Sequence, residues 1–381
     1  MTAIILLLVI SPLLVSSWIS LGVLSTVSCR RSLHKSFLSG PVENKHQDDK
    51  NDNNQPNKRL LVFGLGNIGA LVAKIGSNCN GTSSFERVYG TTRGGDKDVA
   101  SVHVVQFDSY EYIREIIPSC THVLVTIPPV DENTANASFV GGRPRKWNYF
   151  CDPVLNNPVI CLKDIALSNT WVGYVSSTSV YGDHGGDWVY EHSDAKCKPG
   201  TKGALYLRAE NEWREAAKSY GWRLHVFRCA GLYGDGRSAL HTIQKGGVAQ
   251  EIKSSASKVG NPTSRIHEED AARAILSAMT YNEAYDGVQL WNLADDNPAP
   301  RSEVMAFGRK LLASFNLLPS QKSHPLSERR PPSERDKRRK SDNKRVANKL
   351  LKERLLPDGL LFPTYREGLK AVLKVNEDKW R

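Results

Sequence analysis

At 381 residues, with 40% hydrophobic and 24% charged side chains, the chain is long enough to bury a sizeable core, and its ordinary composition excludes a wholly disordered or fibrous protein. The formal net charge of +11 is unevenly placed: residues 328–354 hold twelve Lys and Arg against five Asp and Glu, and three further basic residues lie in the first 41, leaving the remainder nearly neutral. No aromatic side chain interrupts that basic run, so it offers no stacking platform for bases and reads as a solvated surface segment; no nucleic-acid partner is expected.

Residues 1–41 read as a targeting presequence. No charge occurs between Met1 and Cys29, Ile4 to Val15 is almost wholly aliphatic, and Arg30, Arg31, Ser32, Lys35, Ser36 and Ser39 follow without an acid before Glu43. An apolar start followed by a Ser- and Arg-rich, acid-free sequel fits a signal plus transit peptide, with a plastid as the favoured destination. A retained anchor in the secretory pathway and a mitochondrial address stay open, since the uncharged run is long enough to span a bilayer. No stable membrane contact is expected once the presequence is removed. Residues 42–57 are polar and Asn-rich, cannot offset the entropy of ordering, and are expected to form a disordered spacer.

The fold is expected to begin near Lys58. Arg59 to Phe63 is a short apolar run that ends directly in Gly64-Leu65-Gly66-Asn67-Ile68-Gly69, and Ala70 to Ile75 then shows helical apolar spacing. A glycine pattern between a strand and a helix is a dinucleotide-binding signature. Gly64 permits the tight turn, Gly66 lets the backbone approach a pyrophosphate, and Gly69 lets helix and strand pack closely. Asn67 and Ile68 open the helix, whose N–H groups face the phosphates. The next strand, Arg87 to Arg93, ends in Thr92 and Arg93 where an acid would hold a ribose 2′-hydroxyl. That pair favours a 2′-phosphate and hence NADP over NAD. Val102 to Asp108 suits a third strand, with Asp108 near the adenine, and His122 to Pro129 a buried strand that breaks at Pro128 beside the cofactor. Strands alternating with helix-length segments predict an α/β fold with a doubly wound parallel sheet of Rossmann type.

Trp171 to Val175 leads into Ser176-Ser177-Thr178-Ser179-Val180-Tyr181-Gly182; Phe227 to Arg237 and Arg265 to Ala272 follow. In these segments the chain resembles the extended short-chain dehydrogenase/reductase family, which contains NAD-dependent epimerases and dehydratases, over residues 58–375. Within it, the Gly-Leu-Gly turn, the Ile127-Pro128-Pro129 strand end and the tail around Lys344 to Asn348 and Phe362 to Leu369 resemble an atypical branch similar to the bacterial protein YeeZ. The resemblance implies that Ser177 hydrogen-bonds the reacting oxygen. It also implies a smaller C-terminal α/β lobe drawn mainly from 183–202, 234–265 and 295–381, and a small-molecule substrate that is polar and either anionic or nucleotide-linked.

One departure bears on catalysis. Family enzymes place a Tyr four residues before a Lys; here, aligned on Glu210, Lys202 takes the Tyr position and Tyr206 the Lys position. The two still share a helical stripe with Glu210. Either Tyr206 and Lys202 act as an inverted catalytic pair beside Ser177, or the usual proton transfer is absent, with Tyr181 or a water as the remaining acid. An oxidoreductase or epimerase and a catalytically silent NADP-binding sensor or assembly factor both fit. Arg237, after the turn that follows a strand, is a candidate clamp for an anionic substrate, whereas His267 and Asp270 read as cap and first-turn acid of the next helix. Seven cysteines without a Cys-x-x-Cys pair predict neither a zinc site nor a disulfide framework, so no metal is expected. A homodimer is compatible with the sequence.

Overall fold

The computed structural model describes residues 58–77, 85–94, 98–130, 152–165, 169–245, 260–281, 287–318 and 342–375; the presequence, the spacer and much of the basic run lie outside them. All described residues belong to one compact unit.

Seven strands form one sheet: β1 (Arg59–Phe63), β2 (Arg87–Thr92), β3 (His103–Gln106), β4 (His122–Val125), β5 (Trp171–Ser177), β6 (Arg223–Cys229) and β7 (Val288–Leu293). Their order is β7-β6-β5-β4-β1-β2-β3, and every pairing is parallel. Adjacent residues of each strand serve opposite faces. Leu61 and Phe63 of β1, Val123 and Val125 of β4 and Val172 and Tyr174 of β5 enter one core. Leu60 and Val62, Leu124 and Trp171 enter the other. A sheet buried on both faces needs such continuous apolar runs, which is why these strands are conspicuous in the sequence.

Helices α1 (Asn67–Ser77) and α4 (Glu268–Met279) cover one face, through Val72 and Ala73 against Ala271, Ile275 and Ala278. Helices α2 (Tyr110–Ile116) and α3 (Lys202–Tyr220) cover the other, where Trp213 is fully buried. Thr201 caps α3 by accepting from the Ala204 N–H, and Gly221 ends it in the left-handed conformation at φ +69°. A smaller apolar cluster joins Leu240 and Ile243 to Val304, Met305 and Leu312 of α5 (Arg301–Ser314) and to Tyr365, Leu369 and Val372 of α6 (Tyr365–Val375).

The sheet is therefore doubly wound. Strand order reverses between β1 and β4, the crevice where such folds bind their ligands. No described helix is long and apolar enough to cross a membrane.

Candidate functional site: a glycine turn and a cationic cavity

The glycine turn lies at the switch point. Gly64 has φ +98°, and a Cβ there would stand 2.8 Å from Thr126 Oγ1, so only glycine makes this exit from β1. The Thr126 hydroxyl donates to the Gly64 carbonyl at 2.6 Å and the Gly64 N–H donates to Thr91 Oγ1 at 3.0 Å, tying the turn to β4 and β2. A Cβ on Gly69 would run into the Gly64 carbonyl oxygen, which fixes the approach of α1 to the turn. Gly66 differs: nothing lies within 4 Å of the Cβ it lacks, and Gly66 and Asn67 are exposed. The first turn of α1 carries no acid, and its N–H groups have no intrahelical acceptor. Open space at Gly66 and a helix start with no acid of its own fit a bound pyrophosphate.

At the end of β2, Thr92 donates to the Gly94 carbonyl and Arg93 is exposed. Asp108 and Pro128 are exposed beyond the ends of β3 and β4. Gly64, Gly66, Asn67, Ile68, Gly69, Thr92, Arg93, Asp108 and Pro128 thus all lie at or beyond strand C-termini in the half of the sheet bounded by β4 and β3.

Ser177 closes β5, opposite Cys229 of β6. Its Oγ accepts from the Ser179 N–H at 3.2 Å and from Ser179 Oγ at 3.0 Å, which leaves its own proton for an oxygen outside the turn. Tyr206 is buried and Lys202 exposed, with the ammonium 5.4 Å from the ring centroid. Burial, with the Cys229 thiol nearby, pushes the Tyr206 hydroxyl up to about 12. Among the described residues no hydrogen bond joins Ser177, Tyr206 and Lys202.

Tyr181 is not an available acid. It is fully buried, donates to Asn292 Oδ1 at 2.7 Å and lies under the Arg228 guanidinium, 4.6 Å from its ring centroid; burial raises its pKa. Arg228 is buried as well. Its Nε and Nη2 donate to the two oxygens of Glu210 at 3.1 and 2.8 Å, and Ser176 Oγ donates to Glu210 at 2.6 Å. This inward-facing pair clamps α3 to the ends of β5 and β6. Its signal in the sequence is a Glu and an Arg in segments of otherwise apolar spacing.

The second concavity follows β6. A cavity of about 460 Å³ is lined by Arg237, Lys245, Arg265, Arg301, His241 and Tyr365 among others, and among the described residues no Asp or Glu is in its lining. Arg265 is held by the Thr263 and Ala299 carbonyls at 2.6 and 2.8 Å. Arg237 is exposed at the turn spanned by Gly234 and Arg237. Behind the wall, Asp295 is buried and its Oδ2 has no hydrogen-bond partner; desolvation raises its pKa to about 7. His267 caps α4 by accepting from the Glu269 N–H at 3.3 Å, and the carboxylate of Asp270 accepts from the Leu361 and Phe362 N–H groups. Among the described residues, no group of His, Cys, Asp and Glu could hold a metal ion, and Cys120, Cys161, Cys197 and Cys229 are free.

Solved structures share this architecture across their whole length. A functionally unknown conserved protein from Silicibacter pomeroyi is 27% identical, with 84% of this chain and 99% of that one covered and a TM-score of 0.61. UDP-glucose 4-epimerase from Thermotoga maritima is 16% identical over 85% and 100%, with a TM-score of 0.59. UDP-glucuronic acid 4-epimerase from Bacillus cereus, solved with NAD, is 16% identical over 85% and 100%, with a TM-score of 0.54. The fold is that of the NAD-dependent epimerases and dehydratases. No family model matches the sequence, and no curated protein matches it either.

Proposed function

We propose that the protein binds a nicotinamide dinucleotide, NADP in preference to NAD, on the 64–69 turn. The second ligand is a small anionic or nucleotide-linked molecule in the cationic cavity, on which the protein acts as an oxidoreductase or epimerase. The observation that carries the reading is the open face of Gly66, a glycine that packing does not require, beside a helix start without acids. Thr92 and Arg93 in place of an acid at the end of β2 support the 2′-phosphate. The similar UDP-glucuronic acid 4-epimerase holds NAD, so this preference belongs to the chain's own residues. Arg237, Lys245, Arg265 and Arg301, four basic side chains among the described lining residues, support a charged substrate, and the cavity volume suits a small molecule. The bound dinucleotide would supply hydride exchange. Ser177 would donate its remaining hydrogen bond to the oxygen that gains charge.

A second reading is favoured by Tyr206. With its hydroxyl buried at about 12 and Lys202 against the ring, the pair lacks the lowered phenol of a proton donor and acceptor. A dinucleotide-binding sensor or assembly factor of the YeeZ-like branch then results. The apolar start and its basic sequel support plastid delivery in either case.

The test is a titration of NADPH and NADH against the protein and its Gly66→Ala and Gly69→Ala variants. Gly66→Ala should unfold at the unaltered temperature and lose dinucleotide binding by at least about tenfold, whereas Gly69→Ala should lose stability, since its neighbour is backbone. Unaltered binding by Gly66→Ala removes the dinucleotide from this turn, and tighter NADH than NADPH binding removes the Arg93 argument.

A further inference from the structure

We propose that Glu268 is a positioning residue that couples the dinucleotide turn to the loop carrying Arg237, so that occupancy of one site sets the conformation of the other. The inference rests on the dinucleotide reading above.

Glu268 is the first residue of α4. A carboxylate there is ordinary, because it complements the helix dipole, and Glu269 and Asp270 share that location. The dipole does not explain what its two oxygens touch. Oε2 accepts from the side-chain amide of Asn67 at 3.4 Å, and Asn67 opens α1 inside the glycine turn. Oε1 accepts from the backbone N–H of Asp235 at 3.0 Å. Asp235 lies in the tight turn where Gly234 and Arg237 exchange backbone hydrogen bonds at 3.0 and 3.3 Å. A Cβ on Gly234 would run into the Glu268 carboxylate, so the loop is packed directly on that group. The next amide of the loop, Gly236 N–H, donates to His241 Nε2 at 3.2 Å, and both Gly236 and His241 line the cavity. One half-buried carboxylate therefore joins residues 67 and 235, at opposite ends of the proposed ligand pair.

The coupling follows from charge. The Asn67 amide faces the place where the dinucleotide phosphates bring negative charge. A phosphate at this amide repels the Glu268 carboxylate, and the long 3.4 Å Oε2 contact gives way. The displaced charge is carried to Asp235 and through the turn to Arg237. The change needs no long pathway, since a single side chain touches both elements.

Glu268→Gln is the discriminating variant. The nearly isosteric carboxamide keeps an acceptor for the Asp235 N–H and removes the negative charge that a phosphate would repel. Hydrogen exchange of the Asp235 and Gly236 amides is read in the intact protein with and without saturating NADPH, and binding is confirmed by titration. Wild-type exchange at these two amides should change about fivefold or more on binding, the lower end of ordinary coupling. In Glu268→Gln the dinucleotide should still bind while that change falls below about twofold. A merely structural role would shift the melting temperature and leave the ligand-induced change intact. Should Glu268→Gln fail to fold, Asn67→Ala cuts the other half of the link and should give the same loss, read at NADPH concentrations raised until its own titration shows saturation. Binding without an exchange change in the wild type, or a change that persists in both variants, overturns the coupling alone. Absence of any dinucleotide binding overturns it together with the reading on which it rests.

Discussion

Replacing Glu210 by Ala should be among the most damaging single changes the fold can receive. Glu210 has no solvent exposure and Arg228 retains 4%, so the pair is desolvated on both sides. The carboxylate gathers three short hydrogen bonds, from Ser176 Oγ, Arg228 Nε and Arg228 Nη2, with the Arg214 guanidinium at 3.9 Å. Removing it leaves a guanidinium that cannot shed its proton, and whose Nη1 already has no hydrogen-bond partner, in a dry site. Breaking one side of a buried pair costs about 3–5 kcal/mol. The stranded Ser176 hydroxyl adds about 1 kcal/mol, and the sum is a large share of a total stability of about 5–15 kcal/mol. Arg228→Ala should differ in one respect. The carboxylate it strands can take a proton, so that variant should regain stability as pH falls, and Glu210→Ala should not. Replacing both residues by Leu and Met removes both charges and should recover most of the loss. Urea denaturation with fitted midpoints and slopes measures each step. A loss below about 1 kcal/mol for Glu210→Ala, or a double variant no better than the single one, would refute the account of a desolvated clamp.

Asp295 gives the pH dependence. Its folded pKa, raised by desolvation to about 7, lies above the usual carboxylate value, so the folded state binds the extra proton and its stability is lost as pH rises from about 4 to about 7. Asp295→Asn keeps the acceptor for the Asn297 N–H and removes the titration; relative to it, wild-type stability should fall by roughly 3–4 kcal/mol across that window, and thermal melts that stay parallel would sink the idea. Any hydride exchange found with NADPH should drop about 10²–10³-fold in Ser177→Ala and stay within about twofold in Tyr206→Phe; equal rates in all three would take Ser177 out of the chemistry.

The parts of the fold legible in the sequence are those whose physics is local. Phe63, the three glycines and the helical spacing after them fall within thirteen residues, and so the tight turn at Gly64 and the close packing at Gly69 are readable without the rest of the sheet. The edge strand β7 left no comparable mark. Val288, Gln289 and Leu290 are only half-buried, so neither a continuous apolar run nor a clean alternation announces it. Val102 and Asp108 sit just outside β3, because sequence pattern places a strand better than it places the strand's ends.

What stays hidden is whatever is assembled across the sheet. Glu210 and Arg228 are each visible, but their pairing exists because β6 runs beside β5 with Ser176 opposite Arg228, a register no local pattern encodes. The cavity is harder still, since its cations come from residues 237–245, 265 and 301, each ordinary in its own segment. Lys202 and Tyr206 show the limit of periodicity itself. The four-residue spacing puts them on one stripe, but Lys202 is the first residue of α3 and stays in solvent, whereas Tyr206, one turn on, is packed against the sheet. Shared azimuth therefore did not give shared environment, and a proton relay needs both. Glu268 is the converse case: it looks like an ordinary first-turn acid, and its two partners, 201 and 33 residues away, are what give it a role.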